Sequence, residues 1–146
     1  MLTFSSTLRI TGVVLLASVA FACGDSTTHE ISESPFCSGM SPLNESCQYE
    51  IGGSRFWLIS DHPQMPVEKP VQLKLISEQE LSLQQSEIRG LSMYMGRIPV
   101  IWQRTDMNTW QTDVMLGACT DPDMVWELII KKGSHSKRLP FQSVQY

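Results

Sequence analysis

The chain predicts an all-β fold, a two-layer antiparallel sandwich of about seven short strands. Three observations predict it. Apolar and polar residues alternate over short stretches, as in Val71-Gln72-Leu73-Lys74-Leu75 and Trp110-Gln111-Thr112-Asp113-Val114, which puts one face of each stretch into a core. Turn-forming groups such as Asp106-Met107-Asn108 and Asp121-Pro122-Asp123 punctuate these stretches. Only 77–89 has a composition suited to a helix.

Taken in order, the first strand is expected within 53–60, around Phe56, Trp57, Leu58 and Ile59. His62-Pro63-Gln64-Met65-Pro66 reads as an irregular connector, because each proline restricts the residue before it. Val71, Leu73 and Leu75 mark the next strand. The stretch 77–89 is ambiguous. Glu78, Glu80, Gln84, Gln85 and Glu87 favour a helix, yet Leu81 and Leu83 alternate with polar neighbours. Leu91, Met93 and Met95 continue that alternation beyond Gly90, so two strands are expected here. Further strands are expected at 98–104, 110–117 and 124–130, the last with Met124, Trp126, Leu128 and Ile130 on one face. Residues 141–146 could add an edge. Trp57, Trp102, Trp110 and Trp126 read as core residues.

Ahead of this domain stands an export signal. Arg9, an apolar run over 10–22 and Ala20-Phe21-Ala22 before Cys23 fit a cleaved secretory leader. The run is too short to cross a bilayer as a helix. The stretch ending in Cys23-Gly24 is also similar to the bacterial lipobox, in which that cysteine becomes the lipidated first residue; Ala20 stands where a larger aliphatic is usual. Lipid anchoring at Cys23 and ordinary secretion both stay open. The expected organisation is a signal peptide over 1–22, a lipid-anchored or free polar tether over 23–51, and the sandwich over 52–146. The location that follows is the bacterial cell envelope, on the periplasmic side of the inner or outer membrane.

Eleven Lys and Arg against fifteen Asp and Glu give a net charge of −4 with no long basic run, which argues against nucleic acid as a partner. Lys131, Lys132, His135, Lys137 and Arg138 form one small basic group, read as a solvated turn first and an anionic-lipid contact second. No P-loop, dinucleotide fingerprint, zinc-binding histidine pair or Ser-His-Asp arrangement stands out. The expectation is a protein that is not an enzyme.

An exported chain meets an oxidising compartment, where cysteines pair. Of the four cysteines, Cys37 and Cys47 flank a turn-rich loop and form the nearest candidate disulfide. Lipidation of Cys23 would leave Cys119 as a free thiol; without it, Cys23 could pair with Cys119, and pairing of Cys119 with Cys37 or Cys47 also stays open.

The eight methionines suggest soft-metal chemistry. Met93 and Met95 share one side of a strand, Gly96 allows a close turn after them, and Met115 and Met124 bracket Cys119. Thioethers and a thiolate are polarisable ligands that select Cu(I). The candidate metal ligands are therefore Met93, Met95, Cys119 and Met124, with His62 and Met65 a weaker pair. Against this stands plain packing, since methionine fills cores and Met124 shares a face with Trp126, Leu128 and Ile130.

Ser92-Met93-Tyr94-Met95-Gly96-Arg97-Ile98-Pro99, then 110–117, then 119–130 with its Met124, Trp126 and Leu128, resemble the YtkA-like and FixH-like secreted domains. The resemblance implies an immunoglobulin-like sandwich and a methionine pair at Met93 and Met95, with Cys119 and Met124 near the late strand. It also implies a tethered accessory domain for copper handling and cytochrome oxidase assembly, with a periplasmic copper chaperone or an oxidase subunit as partner. No histidine lies beside the methionine pair. The function expected is a non-enzymatic envelope lipoprotein that handles Cu(I); the alternative is a structural or protein-interaction lipoprotein without metal.

Overall fold

A computed structural model describes residues 34–39 and 45–145. Ten strands run in chain order: β1 (Cys37–Ser38), β2 (Gln48–Ile51), β3 (Ser54–Ser60), β4 (Pro70–Ser77), β5 (Ser86–Gly90), β6 (Arg97–Val100), β7 (Gln103–Asp106), β8 (Thr109–Met115), β9 (Val125–Lys132) and β10 (His135–Gln142). They form two packed sheets. One has the order β1-β3-β4-β8-β7, with β2 also on the free side of β3; the other has the order β10-β9-β5-β6. Among these ten strands all pairings are antiparallel except that of β1 with β3. The all-β, two-layer expectation holds at this level.

The alternation read in the sequence becomes the core. Phe56 and Leu58 of β3, Val71, Leu73 and Leu75 of β4, and Trp110 and Val114 of β8 face Ile88 of β5, Trp126, Leu128 and Ile130 of β9, and Leu139 and Phe141 of β10. Each fully buried large side chain contributes about 1.5–3 kcal/mol relative to exposure. Trp126 hides its indole N–H by donating to Ser143 Oγ at 3.0 Å. Trp102 is half-buried and donates to Ser86 Oγ at 3.0 Å. Trp57 lies outside the main core, in a small cluster with Cys37, Cys47 and Ile59 on the other face of the sheet.

Several expectations are corrected. The sheet begins upstream of residue 52: β2 pairs with β3 from Gln48↔Trp57 to Ile51↔Ser54, and Phe36 stacks edge-on against Phe141 at 5.3 Å between ring centres. The polar composition around Cys37 and Cys47 hid this, because the apolar partners lie far along the chain. The expected strand at 81–83 does not form. Residues 78–85 run without ladder pairing, although Leu81 is buried. The expected strand at 98–104 is two: β6 joins one sheet, the chain passes across at Ile101-Trp102, and β7 joins the other. Met93 and Met95 lie in the β5–β6 loop rather than on a strand. Cys23, the signal peptide and most of the tether fall outside the described residues.

Both sheets present one common end. There β3, β5, β8 and β10 finish and β4, β6 and β9 begin. Loops 61–69, 91–96 and 116–124 meet the C-terminal segment at this end. Pro66 bridges to Val144, Val67 bridges to Leu116, and Ser143 N donates to Met124 O at 3.3 Å. The opposite end carries the β2–β3, β7–β8 and β9–β10 turns.

Candidate functional site

The β5–β6 loop folds back on its own start. Leu91 N donates to Val125 O at 2.8 Å, and Gly90 leaves the space the fold-back needs: a Cβ there would lie 2.1 Å from Met93 O and 2.5 Å from Met124 Cε. Any side chain at Gly90 would push Met93 off its seat. Gly96, at φ +77°, then turns the chain into β6.

Across from this loop, the β8–β9 loop carries Cys119. The Asp121-Pro122-Asp123 turn forms as predicted, with Asp123 N donating to Asp121 Oδ1 at 3.0 Å. Gln145 Nε2 donates to Cys119 O at 2.8 Å and to Asp121 O at 3.4 Å. The C-terminal segment thereby holds the cysteine's backbone in place.

These two loops bring the candidate sulfurs to one end of the sandwich. The Cys119 thiol donates toward the thioether of Met93, with Sγ and Sδ 3.6 Å apart. Met93 is 44% exposed and Cys119 is half-buried. Met95 is half-buried, and its Cε lies 3.9 Å from the Cβ position of Gly117, two residues before Cys119. Met124 lies beneath, 1% exposed, its Sδ accepting a hydrogen bond from Ser92 Oγ at 3.1 Å. Met65 is fully buried, its sulfur 4.0 Å from Ser60 Oγ, so it does not stand free beside His62. Met115 and Met107 are exposed.

A disulfide joins Cys37 and Cys47, and Cys119 is the free cysteine among the described residues. The bridge holds the parallel β1 strand against the end of β3.

Chemically, two sulfurs 3.6 Å apart suit a single soft cation. With metal–sulfur bonds of about 2.3 Å they would subtend an angle of about 100°, which leaves one side open for a further ligand. Among the described residues, no three His, Cys, Asp or Glu side chains gather as ligands for a metal, so a metal held here would be held by thioethers with one thiol. Ser92 and Gln145, which fix the two loops, carry no metal-ligand signature in the sequence. No described helix is long and apolar enough to cross a membrane.

No family model matches this chain, and no curated protein matches it.

Proposed function

We propose that this chain is a non-enzymatic binding module of the cell envelope whose binding end is the pair of loops carrying Met93 and Cys119. The observation that carries this is the 3.6 Å approach of a solvent-reachable thioether to a free thiol. Donors this soft fit Cu(I) better than any hard or borderline cation, and the resemblance to YtkA-like and FixH-like domains points the same way. On that reading Met93 and Cys119 hold the ion, Met95 of the same loop is a further candidate donor, and Met124 supports the loop from below. The third side stays open to a partner's ligand, such as a copper chaperone or an oxidase subunit. Anchoring through Cys23 would keep the module at a membrane.

A metal-free protein-interaction module has its own support, and on the inventory of ligands the stronger support. The described residues offer no His, Cys, Asp or Glu cluster, Met124 is buried, and the same end exposes Leu91 and Tyr94 as contact groups.

One titration separates the two. The mature protein is purified anaerobically with the Cys37–Cys47 bridge intact and titrated with Cu(I) against a chromophoric chelator. Equimolar binding that is lost in Cys119→Ser and in Met93→Ala/Met95→Ala, and kept in Met107→Ala, is the Cu(I) result. Binding absent from the unaltered protein leaves the metal-free module, and binding retained in both sulfur variants removes Met93, Met95 and Cys119 as the site.

A further inference from the structure

The chain enters the domain at the sulfur end. The Ser34 hydroxyl donates to Pro63 O, Phe36 packs on Phe141 near the end of β10, and β1 lies beside Ile59 and Ser60, the last residues of β3. Residue 34, where the described chain begins, therefore sits beside loop 61–69 at the sulfur end, not at the opposite end.

We infer that the anchored protein stands with its Met93–Cys119 end facing the lipid surface, so that this end meets partners whose own groups lie at the membrane. The inference rests on lipidation of Cys23, part of the function proposed above, and not on copper. Its geometry is a matter of reach. Residues 24–33 can span at most about 35 Å, and the eight-residue strand β9 makes the sandwich about 26 Å long between its ends. Turning the opposite end to the bilayer would require the tether to run the whole length of the domain, about three quarters of its full extension. Facing the sulfur end inward requires no such extension.

Exposed apolar and aromatic side chains are more numerous at the sulfur end, while the opposite end exposes Met107 in the β7–β8 turn. At the sulfur end Tyr94 is 86% exposed and Leu91 and Met93 are about half exposed; an aromatic ring with a polar tip and small apolar groups suit the interfacial layer of a bilayer. The opposite end carries the basic β9–β10 hairpin, the competing surface for anionic lipid. Its cations are engaged within the protein. Lys132 Nζ donates to Ser54 Oγ at 2.7 Å and Gly52 O at 3.2 Å, and Lys131 pairs with Glu87 at 3.5 Å. Arg138 pairs with Glu127 at 3.4 Å, and Lys137 lies 5.5 Å over the ring of Tyr49.

The test uses the full chain, purified from membranes as the mature protein and reconstituted in phosphatidylcholine vesicles containing a nickel-chelating lipid. Mass spectrometry first reads the lipid on Cys23. A nitroxide is then placed at Tyr94→Cys or at Ser134→Cys, on the exposed tip of the opposite hairpin, each in a Cys119→Ser background. Several-fold stronger relaxation by the lipid-bound nickel at position 94 than at position 134 is expected. Equal or stronger relaxation at position 134 would overturn the orientation, and so would an unmodified Cys23. Neither outcome depends on Cu(I) binding, so failure of the copper reading and failure of this one are separately visible.

Discussion

The hydroxyl of Ser92 donates to the buried Sδ of Met124 while accepting from Val125 N–H, both at 3.1 Å. One small side chain thus joins the loop that displays Met93 to the start of β9. Ser92→Ala removes both bonds and leaves the Val125 amide without its acceptor. A loss of about 1–2 kcal/mol is expected in urea unfolding; if the Cu(I) reading proposed above holds, binding weakens at unchanged stoichiometry, because the proposed ligands remain while the loop that presents them loosens.

Methionines at this end differ in burial, and their truncation should differ accordingly. Met124→Ala opens a cavity beneath the loop and is expected to cost about 2–5 kcal/mol. Met115→Ala, at an exposed position on β8, should stay within about 0.5 kcal/mol. Thermal or urea unfolding of the two variants side by side checks the contrast; equal effects would mean that Met124 is not packed as described.

Glu127 is 6% exposed on the outer face of its sheet and takes Arg89 at 2.8 Å and Arg138 at 3.4 Å on the same carboxylate oxygen. Both guanidiniums keep some contact with water, so removing their shared partner costs less than breaking a fully buried pair. Glu127→Ala is expected to lose about 1–3 kcal/mol, whereas Glu80→Ala, which breaks the exposed pair with Arg104, should lose at most about 1 kcal/mol. High salt should narrow the second effect more than the first.

Burial raises the phenol of Tyr49 above its ordinary value of 10.0. The neutral form donates to Pro35 O at 3.1 Å and to Ser46 O at 3.4 Å, bonds the phenolate cannot make. A folded pKa above the unfolded one means that this contribution is complete below pH 10 and is lost as the pH climbs through the folded value. Alkaline unfolding should therefore be steeper in the unaltered protein than in Tyr49→Phe, with the described stretches 36–39 and 45–47 losing amide protection first.

Much of the fold is legible in the linear pattern. Strand–solvent alternation in 71–75 and 110–114 reports burial directly, because a residue's face is set by its parity; in 126–130 both faces are buried, Glu127 and Ile129 included. The turn at Asp121-Pro122-Asp123 and the Cys37–Cys47 bridge are local as well, and neighbours in the chain suffice to foresee them. The alternation of Leu81 with Leu83, and of Leu91 with Met93 and Met95, misleads for the same reason. Parity is informative only where a ladder forms, and these segments have no partner strand. Burial of Leu81 comes from a loop folding over the core.

The sequence by itself determined an all-β domain and an inventory of soft donors that includes Met93, Met95, Cys119 and Met124, with export as its expectation. It could not sort those donors, because they sit on two loops whose meeting depends on how two sheets stack. Tertiary structure decided that Cys119 approaches Met93, that Met124 lies beneath them, and that the N-terminal segment enters at their end of the sandwich. The physical reason is distance along the chain: alternation encodes which way a side chain faces within its own strand, while the approach of residue 93 to residue 119 and of residue 34 to residue 63 is fixed only by the packing of elements remote in sequence.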